Sequence, residues 1–165
     1  GGENTTIFYL KDGSIIQICS FALGGRHFIK GIAKILNISY EEAEDIKRQY
    51  GQGVVSQNQK NNLHDFLFQE AKLWKKMFVE TLDQFYHFGP IPPQIFITGG
   101  GANIPEINSI IREGDWIKPL SYVDMPKTNI LRADGIFQGD TLGGYLQGPQ
   151  DFSLASLLFY LQKNA

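Results

Sequence analysis

Cysteine is nearly missing from this chain. Its 165 residues include one, Cys19, set in an alternating apolar stretch, which excludes an internal disulfide framework and any metal site built on several thiolates. A reducing compartment suits such a sequence. Long hydrophobic runs are also missing, and nothing approaches the roughly 20 apolar residues that a helix needs to cross a bilayer. Charge of one sign is scarce. With 15 Lys plus Arg against 17 Asp plus Glu the formal net charge is −2, and Lys and Arg never run beyond pairs. The electrostatic footprint of a nucleic-acid binder is absent, and neither nucleic acid nor direct membrane insertion is expected. His27, His64 and His87 are too scattered for a metal site, which calls for clustered ligands at short spacing.

What is present is enough apolar residue, 42% of the chain, for one domain with a core. Thr5 to Leu10 and Ser14 to Leu23 are β-branched and aromatic, and Lys11-Asp12-Gly13 between them is a hairpin turn signal. The spacing of Phe28, Ile29, Ile32, Ala33, Ile35 and Leu36 predicts a helix over 27–36. Ser39 and Glu42 form a capping box that opens a second helix, stopping near Gly51. Residues 52–62 are polar and rich in Gln, Asn and Gly, which reads as a loop or reduced subdomain. Leu63, Leu67, Ala71, Trp74, Phe78, Leu82 and Phe85 then mark one face of a long helix to about His87.

Prolines 90, 92 and 93 end that helix, and Gln94 to Thr98 is a short apolar strand running into Gly99-Gly100-Gly101. A helix starts around Asn103 to Pro105. Trp116 to Val123 is expected to add a strand, whereas Pro126 to Pro149 carries turn residues without periodicity. A last helix, about Asp151 to Gln162, places Leu154, Leu157, Leu158 and Leu161 on one side, and this face is expected to pack on the sheet. The order describes a mixed α/β layer fold without internal repeats.

Three segments carry residues suited to a phosphate or nucleoside. Gly2-Glu3-Asn4-Thr5-Thr6 is a small-residue turn entering a strand, where backbone N–H groups and a hydroxyl can hold phosphate oxygens; an ordinary turn has the same pattern. Thr98-Gly99-Gly100-Gly101-Ala102 lies where a strand hands over to a helix, and three glycines remove every Cβ that would keep a ligand from the backbone. A tight turn without a ligand uses the same residues. Glu44, Lys47 and Arg48 share a helix face, with a carboxylate for ribose hydroxyls beside two cations for a purine ring; a solvated charged face looks no different.

Taken in order, Gly1-Gly2-Glu3-Asn4-Thr5-Thr6, the hairpin, Phe21-Ala22-Leu23-Gly24-Gly25, Glu41 to Gly51, and Thr98 to Ala102 with Pro105 resemble the second domain of the FtsA/PilM family of actin-like ATPases. The resemblance covers nearly the whole chain, and DnaK-type chaperones and MreB share the pattern more distantly. It implies a ribonuclease H-like α/β fold made from residues 1–50 and 89–165, with 51–88 a reduced insertion and long helix, and an actin-like N-terminal half outside the chain. It further implies ATP and Mg2+ as ligands of the intact protein. Gly2, Asn4, Thr5 and Thr6 would form the second phosphate loop, Gly99, Gly100, Gly101 and Ala102 the adenosine motif, and Glu44, Lys47 and Arg48 the ribose and adenine contacts. The aspartate that organises the magnesium shell in the family would precede Gly1.

The short segment after Gly51 and the lack of a basic amphipathic tail resemble PilM more than FtsA. PilM-like proteins act in type IV pilus assembly at the cytoplasmic face of the membrane and bind the tail of PilN; FtsA-like proteins link FtsZ filaments to the membrane in cell division. Either role implies a bacterial cytoplasmic protein, peripheral through its partners and capable of self-association, with ATP as a conformational ligand and weak hydrolysis at most. Two rivals stand beside this reading. A kinase-like enzyme needs a catalytic acid, and Asp134 and Asp140 lie in a turn-rich segment with no supporting motif. An interaction module without nucleotide is the other.

Overall fold

The computed structural model describes residues 2–114, 116, 124, 126–136, 145, 146 and 148–164. Strands β1 (Thr5–Lys11) and β2 (Ser14–Phe21) form the expected hairpin, pairing Thr5 with Phe21 and Tyr9 with Gln17, with an irregularity between Tyr9 and Leu10. Asp12 and Gly13 both take positive φ, 50° and 75°, the backbone that a two-residue hairpin turn needs to match the strand twist. Alternation gives the hairpin two faces: Tyr9 and Phe21 are buried, whereas Phe8, Leu10, Ile16 and Ile18 are exposed.

Three helices cover the buried face or pack behind it. Helix α1 (Gly25–Leu36) buries Phe28, Ile29 and Ile32 and ends on Asn37 in the left-handed region. Helix α2 (Tyr40–Gln52) opens on the capping box of Ser39 and Glu42 and buries Ala43 and Tyr50. Helix α3 runs over Gln57–Asp83, six residues further upstream than its apolar stripe suggests, so residues 57–62 are helical rather than loop. A second capping box, Ser56 with Gln59, sets that start, and Gln and Asn are tolerated on its solvent side. The stripe Leu63, Leu67, Ala71, Trp74, Phe78 and Leu82 is buried as expected. Trp74 stacks on Phe78 at 5.0 Å and meets Phe21 edge-on at 6.0 Å. A 3-10 turn, Gln84–Phe88, brings Phe85 to 5.5 Å from Tyr9.

Where α1 meets α3, a Cβ built on Gly31 falls 1.9 Å from Cζ of Phe66. Glycine to alanine inside a helix normally stabilises by about 0.5–1 kcal/mol. Here the sign reverses: Gly31→Ala should cost about 1–3 kcal/mol because the ring must leave its seat. Urea unfolding checks this, with Gly31→Ala/Phe66→Leu recovering part of the loss.

The second half is a strand–helix–strand unit. Strand β3 (Gln94–Ile97) leads through a 3-10 turn at Gly100–Asn103 into α4 (Pro105–Glu113), and β4 (Lys127–Ile130) pairs parallel to β3, Gln94 with Lys127 through Ile97 with Ile130. Pro105 takes the first position of α4, and Gly114 stops it at φ 71°. Strand β4 falls in the stretch 126–149 that carries turn residues and little periodicity; its four residues are too few for a pattern to stand out, and pairing with β3 supplies the order. Trp116 is buried and donates to the carbonyl of Ile111; the rest of the strand expected over 116–123 lies outside the described residues.

Helix α5 (Phe152–Asn164) closes the chain. Leu154, Leu157 and Leu161 are exposed, which corrects their expected packing on the sheet. Ala155 makes the close approach instead, in a small cluster with Ala133, Leu146 and Leu158. The fold is the expected mixed α/β one, with an antiparallel and a parallel two-stranded ladder among the described residues. No described helix is long and apolar enough to cross a membrane.

Candidate functional site

The turn at Gly2–Asn4 is held from below by Gly24. A Cβ on Gly24 would come within 2.7 Å of the Gly2 oxygen and the Glu3 carbonyl carbon and 2.8 Å of the Asn4 nitrogen. From the start of α1, the Arg26 N–H donates to Gly2 O at 2.7 Å and the Arg26 guanidinium pairs with Glu3 at 2.6 Å. Thr5 donates its hydroxyl proton to Leu23 O at 2.7 Å and accepts from Trp74 Nε1 at 3.0 Å. Its side chain is therefore committed to the fold, and a phosphate oxygen would meet only its backbone. Thr6 Oγ1 accepts from Ser20 at 3.0 Å, which leaves its own proton to donate. Gly2 and Asn4 are exposed.

The second glycine turn is open towards solvent. Among the described residues, Cβ atoms on Gly99 and Gly101 would meet nothing within 4 Å, and one on Gly100 would meet only Cβ of Gln150 at 4.0 Å. Gly99 has φ 88°, a conformation that side chains disfavour. Ala102 beside it is buried, which anchors the turn while its glycine face stays free. Thr98 and Gly99 are tied to Pro149 O, at 3.0 and 2.9 Å. Asn103 donates to Gln150 at 2.9 Å.

Helix α2 comes to this turn by its C-terminal end. Gly51 makes the approach possible, since a Cβ there would stand 2.7 Å from Asn103 O. The fold thus brings the helix of Glu44, Lys47 and Arg48 beside the motif of Gly99 to Ala102, while the Gly2 to Thr6 turn sits on the other ladder. Glu44 is exposed, and Arg48 pairs with Asp45 at 2.7 Å in solvent. Lys47 is half-buried: desolvation holds its ammonium below the ordinary lysine value, and the nearby Glu44 carboxylate opposes that shift. A cavity of about 670 Å³ adjoins the turn, lined among others by Gly51, Ala102, Asn103, Asn108, Arg112 and Arg132. Such a volume suits a nucleoside-sized ligand. Gly51, Asn103 and Gln150 join the site only through the fold; in the sequence Gly51 and Asn103 mark helix ends, and Gln150 carries no signal.

The remaining candidates are accounted for structurally. Asp134 sits in a short 3-10 turn and is paired in bidentate fashion with Arg132 at 3.0 to 3.2 Å. That hydrogen bond holds its carboxyl below the ordinary range. Asp140 lies outside the described residues. His27 meets Glu70 at 2.5 Å and His64 meets Glu106 at 2.9 Å. Among the described residues no three acidic, His or Cys side chains are grouped to hold a metal.

Comparison with known proteins gives the site its context. Residues 1–135 match the family model of the cell division protein FtsA. FtsA proteins of two Staphylococcus epidermidis strains are each 25% identical over 134 aligned positions, covering 68% of this chain and 28% of theirs. This chain therefore spans less than a third of the length of those curated relatives. A solved PilM–PilN type IV pilus biogenesis complex shares the fold with a TM-score of 0.56 and 19% identity, over 96% of this chain and 43% of the matched one. The matched span runs through the Gly2 turn, the capped helix and the Gly99 turn in one order, and the chain belongs to the FtsA family of the FtsA/PilM-type actin-like fold.

Proposed function

We propose that this chain supplies the adenosine side and one phosphate loop of an ATP cleft, in an actin-fold protein whose nucleotide acts as a conformational ligand. The observation that carries the proposal is the glycine turn Gly99–Gly101, open on the side where side chains would stand and packed beside α2. Gly99 to Ala102 would meet the nucleoside with backbone alone, followed by the free N–H groups of a helix start. Glu44 would accept ribose hydroxyls, with Lys47 and Arg48 along the base; for Arg48 this means exchanging Asp45, a weak exposed pair. Gly2, Asn4, Thr5 and Thr6 would offer N–H groups to phosphate, with Thr6 adding its hydroxyl. Bound ATP supplies the terminal phosphate whose presence distinguishes two states of such a protein. No residue here is assigned to hydrolysis or to Mg2+.

The family match favours an FtsA-like role, linking FtsZ filaments to the membrane. The alternative is a PilM-like role with a PilN-like partner, and what supports it is a shared fold. Capture of FtsZ or of a PilN-like peptide by the full-length protein separates the two. Titration of ATP and magnesium into the full-length protein tests the cleft itself. Binding is expected there, and its absence would leave an interaction module.

Gly100→Val is the sharpest variant. Among the described residues nothing but Gln150 lies near its Cβ position, so folding should be unchanged within about 0.5 kcal/mol. The valine would occupy the space where the nucleoside approaches, and ATP affinity should fall by a factor of about 100 or more. Unchanged affinity would move the adenosine site elsewhere.

A further inference from the structure

Among the described residues Glu106 is the only acidic side chain in the interior, 4% exposed. A carboxyl group is costly to bury without partners, so what holds it shows what it is for. Glu106 is the second residue of α4, in the first turn after the glycine motif, where the helix end favours a carboxylate. Its Oε1 accepts from the hydroxyl of Tyr50 at 2.5 Å and lies 2.9 Å from Nδ1 of His64. Among the described residues Oε2 is buried without a partner, so the ties of the cluster among them run through Oε1. Three helices meet there: Tyr50 belongs to α2, His64 to α3 and Glu106 to α4.

Tyr50 immediately precedes Gly51, the residue whose backbone lies against Asn103. One side-chain hydrogen bond and one backbone contact, side by side, thus join the end of α2 to the element that begins with the glycine turn. Glu44, Lys47 and Arg48 sit on the same rigid helix, so a tilt at Tyr50 is carried to all of them over roughly 9 Å of helix. Tyr50 is a hydrogen-bond donor at neutral pH as any phenol is, and burial and the Glu106 contact push its titration further above the ordinary value.

We propose that Glu106 is a positioning residue for the adenosine end of the cleft: by holding Tyr50 it fixes the last turn of α2 against the glycine turn and sets the gap that accepts a purine nucleoside. The inference rests on the ATP-binding reading above. Glu106 touches no ligand in this scheme. His64 steadies the same oxygen from α3.

The test uses the full-length protein, with Tyr50→Phe, which keeps the ring, and Glu106→Gln, which keeps the shape. Dissociation constants are measured for MgATP and for inorganic tripolyphosphate, which lacks the nucleoside. Tyr50→Phe, which removes the hydrogen bond, should weaken MgATP about tenfold, Glu106→Gln, which keeps an accepting oxygen without the charge, should weaken it by less, and both should leave tripolyphosphate unchanged. Amide exchange in Gly100–Asn103 should rise in the same variants without nucleotide. Unchanged MgATP affinity in both variants would overturn the positioning role and leave the ATP reading standing. Equal loss for both ligands would overturn it as well, since a merely structural cluster lowers the folded fraction without regard to the base. A parent protein that binds neither ligand would overturn the ATP reading and this inference with it.

Discussion

Trp74→Ala should remove about 3–5 kcal/mol of stability, the usual cost of emptying a buried aromatic site. Domains of this kind hold only about 5–15 kcal/mol in total, so the variant should lose a large share of its stability. The size of the effect follows from what the indole does. It is 6% exposed, stacked on Phe78 and set edge-on to Phe21, so it joins α3 to the hairpin. Its Nε1 also donates to Thr5 Oγ1, at the strand start that follows the Gly2 turn. Trp74→Phe keeps part of the packing and loses that bond, and should cost markedly less. Urea unfolding followed by far-ultraviolet circular dichroism measures both. A loss below about 1 kcal/mol for the alanine variant would contradict this seating of the ring.

Gly24→Val should disrupt the phosphate-loop turn. Gly24 has φ −124° and ψ −168°, extended backbone open to any residue, so the cost is steric alone. The atoms a Cβ would strike belong to the backbone of residues 2–4, and no rotamer can clear them. A loss of about 1–3 kcal/mol or more is expected, with faster amide exchange at Arg26, whose N–H donates to Gly2 O. Gly13→Ala offers the contrast. Nothing stands within 4 Å of its Cβ position, so its penalty comes only from φ of 75°.

The capping box of Ser39 and Glu42 and the long stripe of α3 are local or periodic, which is why the hairpin, α1, α2, α4 and the core face of α3 are legible in residue order. Local pattern is weak in three places. Residues 57–62 are polar yet helical, because the helix is started by Ser56 and Gln59 and sustained by packing further along. Strand β4 has four residues and takes its order from β3. For α5, four leucines suggested one packed face, but alanine at 155 permits a closer approach than leucine and decided which side turns inward.

For the site, the sequence by itself determined the chemical inventory: one glycine turn that enters a strand and one between a strand and a helix, a capped charged helix, and an order that resembles one family. Glycine's missing side chain and the capping geometry act over a few residues, so they are legible in one dimension. Tertiary structure alone decided that Gly51 lets α2 close on Asn103, that Trp74 and Leu23 claim the Thr5 hydroxyl, and that Tyr50 and His64 converge on a buried Glu106. Those partners are separated by 18 to 69 positions along the chain. Only the packing of the core brings such distant groups within hydrogen-bond reach, and no local rule encodes that.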